Sequence, residues 1–219
     1  MPGLGAQLNM AALNAAVLKT DPYEYLVVEN FINPESFGPI TADFPAITEA
    51  GSFPPETLDI HGAFADLLVE MDGETFRQAI EAKFNMTLTD YPTMFTVRGK
   101  CALHNGKIHN DSATKIITVL LYLNDAAWQA DGGRLRILRD QHDLNNMAEE
   151  INPNGGTLLV FRRSDRSWHG HEPFEGVRRA IQMNWVASEA VVEHEQRRHK
   201  FSAFVKRLNP VRAFKEIMS

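Results

Sequence analysis

The chain has one cysteine, Cys101, in 219 residues. It therefore closes no disulfide within itself, which excludes a disulfide-stapled scaffold and fits a reducing compartment. Long apolar runs are also missing. Nothing approaches the roughly 20 residues that a membrane-spanning helix needs. The start, Met1-Pro2-Gly3-Leu4-Gly5, has neither the basic residues nor the apolar run of a secretory signal, so the expected location is cytoplasmic. Basic residues are in deficit: 22 Lys and Arg stand against 28 Asp and Glu, a net charge of -6. Nucleic-acid binders usually carry a basic footprint, so no such partner is expected. Repeats and low-complexity linkers are absent as well.

What is present is ordinary globular material. Apolar residues make up 44% and charged residues 23%, close to average usage. A chain of this length can bury one sizeable core, and a single domain over residues 1–219 is expected. Whether copies associate into a homo-oligomer is left open by composition.

The first portion reads as mainly helical. Leu8, Ala12, Ala15 and Leu18 recur at helical spacing over residues 6–18, and Asp21-Pro22 ends that segment. Residues 25–28 (Tyr-Leu-Val-Val) read as a strand. Asn33-Pro34 has the form of an N-cap followed by proline in the first turn. Phe64, Leu67, Leu68 and Met71 form one helical stripe, and Phe76, Ala79 and Ile80 another.

Beyond Pro92 the pattern changes to short strands. Residues 94–97, 115–123, 134–138, 157–161 and 179–186 are β-rich or alternating. They are separated by turn chemistry such as Asn124-Asp125, Gly132-Gly133 and Asn154-Gly155-Gly156. This spacing suggests a sandwich or barrel. From Glu189 onward the pattern is helical again, with Phe201, Phe204, Val205 and Leu208 on one face. The fold expected is mainly β with flanking helices: a helical N-terminal portion, a β core and a C-terminal helix.

Three places carry candidate chemistry. His109 and Asp111 are two residues apart, so on an extended strand both side chains point the same way. One imidazole and one carboxylate can then bind one metal ion. A second histidine would complete the 2-His-1-carboxylate triad associated with non-haem Fe(II) oxygenases, but His-x-Asp alone is common by chance. Arg179 shares the alternating face of residues 179–186 with Ile181, Met183 and Trp185. A guanidinium on that apolar face cannot shed its charge and needs an anion, and a bound carboxylate would satisfy it in a bidentate fork. A distant acidic partner, or an arginine reaching to the rim, would satisfy it equally. The third place is Trp168-His169-Gly170-His171. Either histidine suits a metal, and the residues alone do not choose between them.

In order along the chain, His109-x-Asp111 is followed by a histidine about 60 residues on and an arginine ten residues later. This order resembles the 2-oxoglutarate/Fe(II) dioxygenase superfamily, and within it the prolyl-hydroxylase-like branch that includes the oxygen-sensing prolyl hydroxylases. Leu121-Tyr122-Leu123-Asn124, Gly132-Gly133-Arg134-Leu135-Arg136-Ile137 and the run from Leu159 to His169 carry the likeness, which spans roughly residues 94–187. The run from Asp21 to Phe31 (Asp-Pro-Tyr-Glu-Tyr-Leu-Val-Val-Glu-Asn-Phe) also resembles the entry strand of such proteins.

The resemblance implies a double-stranded β-helix, or jelly roll, with its catalytic core over that span. It implies an oxidoreductase, a hydroxylase using Fe(II) and 2-oxoglutarate, with ascorbate as a candidate reductant. By position, His109, Asp111 and His169 match the iron ligands, and the spacing to Pro173 and Arg179 favours His169 over His171. Arg179 matches the residue that pairs with the distal carboxylate of 2-oxoglutarate, and Tyr122 a tyrosine that hydrogen-bonds the same group. The ligand histidines must be neutral, so acid should weaken iron binding.

The stretch from Val97 to Gly106 lacks a tyrosine that prolyl hydroxylases carry there, so the likeness conveys the metal chemistry and leaves the substrate open: a protein side chain, a sugar, a lipid or a small metabolite. Rival readings are a catalytically silent jelly-roll binding module and a Zn or Mn hydrolase. Cys101 reads as an inert small residue, His104 as a surface histidine, and Arg197-Arg198-His199-Lys200 as a solvated helix face.

Overall fold

The computed structural model describes residues 6–124, 128–194 and 197. The first helix, α1 (Met10–Ala15), is shorter than the helical spacing suggests. Leu8 is drawn instead into a bridge with Ile32, and Lys19 into one with Tyr25. Asn9 caps α1, its side chain accepting from Ala12 N at 3.0 Å. Strand β1 (Tyr25–Val28) follows as read. Helix α2 (Pro34–Ala42) begins with proline, but Asn33 does not cap it through its side chain, which donates to Ala6 O at 2.6 Å. Helices α3 (Gly62–Met71) and α4 (Glu74–Phe84) bury the expected stripes, with Phe64, Leu67, Met71, Phe76 and Ile80 fully buried.

The β portion consists of β2 (Thr93–Cys101), β3 (Lys115–Tyr122), β4 (Leu135–Leu138), β5 (Met147–Ile151), β6 (Leu158–Arg162), β7 (His169–Gly170) and β8 (Gly176–Val186). Among the described residues these strands and β1 make two sheets, one of five strands in the order β1-β6-β3-β8-β2 and one of three in the order β5-β4-β7. The ladders are antiparallel. This is the jelly-roll architecture. Strands β5 and β7 are not legible in the sequence. β5 has glutamates at 149 and 150, which strand propensity disfavours; they are held by Lys19, Tyr25 and Arg136. β7 is two residues long.

The large sheet is buried on both faces. Ile117, Val119, Leu121, Val160, Ile181, Met183 and Trp185 pack under the helices in one core. On the opposite face Tyr122, Leu159, Phe161 and Ala180 meet Leu135, Ile137 and Ile151 of the small sheet in another. Residues two apart on a strand share a face. Thr118, Leu120 and Tyr122 of β3 therefore look into the space between the sheets, as do Arg178, Ala180 and Gln182 of β8. A cavity lined by His109, Asp111 and His169 lies in that space. Among the described residues no helix is long and apolar enough to cross a membrane.

Candidate metal centre and adjoining cavities

His109 and His169, 60 positions apart in sequence, are directly paired. Each backbone N–H donates to the other's carbonyl, both at 3.0 Å, and the rings lie 4.3 Å apart between centroids. Gly170 permits this close approach. A Cβ there would stand 2.9 Å from Gly106 O and 3.1 Å from Ile108 Cα. Asp111 joins the pair: one ligand atom from each of His109, Asp111 and His169 lies within 4.8 Å of the others. His171 is not in this group. Its ring lines the inner cavity, with Nδ1 2.7 Å from Glu172 O and Nε2 3.9 Å from Cys101 Sγ.

The protonation pattern suits a metal. His109 Nδ1 lies 2.8 Å from Lys107 O, and His169 Nδ1 2.9 Å from Ser167 O. A carbonyl only accepts, so each Nδ1 carries the hydrogen and each Nε2 presents a bare lone pair. Asp111 is buried. Burial pushes its pKa up, but the Lys115 ammonium at 2.8 Å, with His169 and the Thr118 hydroxyl, outweighs burial and holds it at about 2. It stays a carboxylate. Behind Thr118, Asn184 donates to its hydroxyl at 2.8 Å and Gln182 to Asn184 Oδ1 at 3.0 Å, so β8 braces the acid through β3. The intervening Asn110 donates to Ser164 O and accepts from Ser167 Oγ, while Arg163 Nε donates to Asp111 O. These supports are not legible in the sequence, because only the fold brings residues 163–167 against 109–111.

Burial first, then the neighbouring His109, hold His169 at about 4; burial, then Arg178, do the same for His171. An unfolded histidine titrates near 6.5, so between those values the unfolded chain takes up protons that the folded chain refuses. Stability is therefore complete above about pH 6.5 and is lost as pH falls towards 4, by about 3 kcal/mol for His169 alone. Urea midpoints of the metal-free protein should fall steadily over that range. A flat profile would mean that the rings are not buried.

The two arginines of β8 part company. Arg178 is 6% exposed and enters an inner cavity of about 170 Å³ that also holds the metal-site residues. Its Nε donates to Gly133 O at 2.8 Å and its Nη2 to Tyr122 Oη at 3.3 Å, with the guanidinium over the Tyr122 ring. Among the described residues no carboxylate pairs with it. Arg179, expected at the site, points to the opposite face, where its guanidinium lies 5.1 Å from the centroid of Phe44. The most apolar face of β8, which carries Arg179, packs beneath the helices, and the cavity meets the face one residue away. Tyr122 is buried, and its hydroxyl accepts from Arg178. Trp185 is core, and burial raises the Cys101 thiol pKa, leaving an inert residue. The residues from 198 onward, including Phe201, Phe204, Val205 and Leu208, lie outside those described.

Comparison with known proteins agrees with this geometry. Residues 88–187 match the family model of the 2OG-Fe(II) oxygenase superfamily. No curated protein sequence matches. Among solved structures, a Pseudomonas putida prolyl-4-hydroxylase superposes with a TM-score of 0.56 at 19% identity, over 84% of this chain and 99% of that one. A prolyl 4-hydroxylase from Phytophthora capsici gives 0.54 at 14% identity, over 86% and 70%. A viral collagen prolyl hydroxylase from Paramecium bursaria Chlorella virus-1, in complex with 2OG, gives 0.50 at 14% identity, over 75% and 96%. At such identities the likeness to these structures is one of fold.

Proposed function

We propose that the chain, whose residues 88–187 match the family model of the 2OG-Fe(II) oxygenase superfamily, hydroxylates its substrate with iron held by His109, Asp111 and His169 and 2-oxoglutarate anchored by Arg178. It is a 2-oxoglutarate-dependent dioxygenase, with Fe(II) and 2-oxoglutarate as the family's cofactors. The observation that carries the reading is the triad itself: three ligand atoms within 4.8 Å, both imidazoles locked with Nε2 free. That donor set suits a non-haem iron with open positions.

The chain's own groups divide the work. Thr118 and Lys115 hold Asp111 ionised and aimed. Arg178, with a fixed charge and no protein carboxylate, is placed to receive the distal carboxylate of the cosubstrate, and Tyr122 braces it. The role expected of Arg179 passes to Arg178. Leu120, Leu135 and Ala180 line the cavity between and exclude water from the cosubstrate's methylenes. When bound, Fe(II) would activate dioxygen, the oxidant, with 2-oxoglutarate as electron donor: one oxygen atom would go into succinate as carbon dioxide leaves, and the other into the substrate C–H bond as its hydroxyl. The N-terminal helices, packed on the large sheet, form one domain with this core in our reading.

Adding Fe(II) and 2-oxoglutarate without oxygen should produce a visible metal-to-ligand charge-transfer band. Admitting oxygen should yield succinate in step with 2-oxoglutarate consumed. No band would sink the oxygenase reading. A band without succinate would leave a silent binding module.

A further inference from the structure

A second cavity, of about 370 Å³, adjoins the metal-site residues and is called the outer one here. It shares Arg98, His109, Asp111, Lys115 and Gln182 with the inner one. Its volume is at the low end for small-molecule sites. Its wall is largely polar: Ser52, Thr96, Asn110, Ser112 and Thr114 line it, against Met94, Val186 and Val191 as apolar members.

Arg98, on β2, faces both cavities. Its Nε is buried and has no hydrogen-bond partner, in contrast to the bonded Nε of Arg178. An unpaired buried donor on a cation is costly, and the nearby Arg178 adds repulsion. The charge balance points the same way. Three cations, Arg98, Lys115 and Arg178, line the two cavities, and among the described residues Asp111 is the single carboxylate that does. A divalent ion and a dianionic cosubstrate cancel each other, so two positive charges stay unbalanced. The inner cavity already has Arg178 for the distal carboxylate.

We propose that the substrate is a small polar oxyanion, a carboxylate or a phosphate ester, seated in the outer cavity with its anionic oxygens on Arg98. This rests on the oxygenase reading. A neutral pyrrolidine ring in a peptide offers nothing to pair with Arg98, whereas an oxyanion satisfies the guanidinium in a bidentate fork, and the hydroxyls and amides of the wall take the rest of a polar molecule. Arg98 thus determines specificity.

The test uses the full chain loaded with Zn(II) in place of iron and saturated with 2-oxoglutarate. Acetate and inorganic phosphate are the probes, with chloride at matched ionic strength as control. The Arg98 Nε–H resonance should shift saturably with acetate or phosphate and not with chloride. The tighter probe tells a carboxylate substrate from a phosphate ester. Arg98→Gln should weaken the oxyanion, read by melting temperature, by about tenfold or more. It should change 2-oxoglutarate affinity, read separately by calorimetry, by less than about threefold. Arg98→Lys, which keeps the charge and loses the fork, should fall between.

The proposal is overturned if neither probe shifts the resonance or if chloride does so equally. It is also overturned if Arg98→Gln weakens 2-oxoglutarate about tenfold while leaving the oxyanion response intact, since Arg98 would then serve the cosubstrate. A wild-type chain that takes up no 2-oxoglutarate fails the oxygenase reading itself, and the calorimetry shows which has failed.

Discussion

His169→Ala is expected to leave a folded protein that no longer develops the anaerobic charge-transfer band. His169 supplies one of three ligand atoms, and its ring is buried against Phe161 with centroids 4.9 Å apart. Removing an outer-shell partner of a metal ligand typically costs 10- to 100-fold in affinity or activity. Removing a ligand should cost more, so iron affinity should drop at least about a hundredfold and succinate formation should fall to background. His171→Ala is the control. It lies two residues away and lines the same inner cavity, but it is outside the ligand group, so the band should persist. If His171→Ala abolished the band and His169→Ala did not, the ligand assignment would be reversed. Circular dichroism on both variants separates lost ligation from lost folding.

The second large effect separates two adjacent arginines. Arg178→Ala should weaken 2-oxoglutarate by about 30-fold or more, because truncating one partner of a buried, hydrogen-bonded charge pair costs about 2–5 kcal/mol. Arg179→Ala should change that affinity by less than about twofold, since its guanidinium lies over Phe44 beneath the sheet's other face. Calorimetric titration of 2-oxoglutarate into the Zn(II)-loaded variants decides it. Equal losses in both would mean that β8 is displaced as a whole. A loss confined to Arg179→Ala would put the anchor on the helix-facing side and contradict the strand register.

Two of the three candidate ligands stand together in the sequence because their geometry is local: two residues of extended chain place His109 and Asp111 on one side. The partner histidine is not local. Trp168-His169-Gly170-His171 contains two candidates, and the family order, not side-chain chemistry, favoured His169. The expected anchor, Arg179, lies one residue from the arginine that lines the cavity, and the reason is physical. Alternation identifies two faces of a strand but does not say which meets the site, and the large sheet is buried on both. The face with Ile181, Met183 and Trp185 looked like the interior. The face with Arg178, Gln182 and Asn184 is polar in sequence, yet it lines the cavity and braces Asp111. Fold class was legible from the turn-separated strands. Strand β7 was invisible at two residues, and so was the Asn110–Ser167 contact, which joins residues 57 apart.

The mutual backbone pair between His109 and His169 has a consequence for how the chain tolerates change. Two main-chain hydrogen bonds fix the spacing of the ligand-bearing segments whatever side chains surround them, so the centre does not depend on an ion to draw its halves together. The stretch between them, from Ser112 to Trp168, can lengthen, shorten or change composition at its turns while the two imidazoles keep their mutual distance. Sites of this construction can diversify in what they act on while the reacting centre is inherited intact.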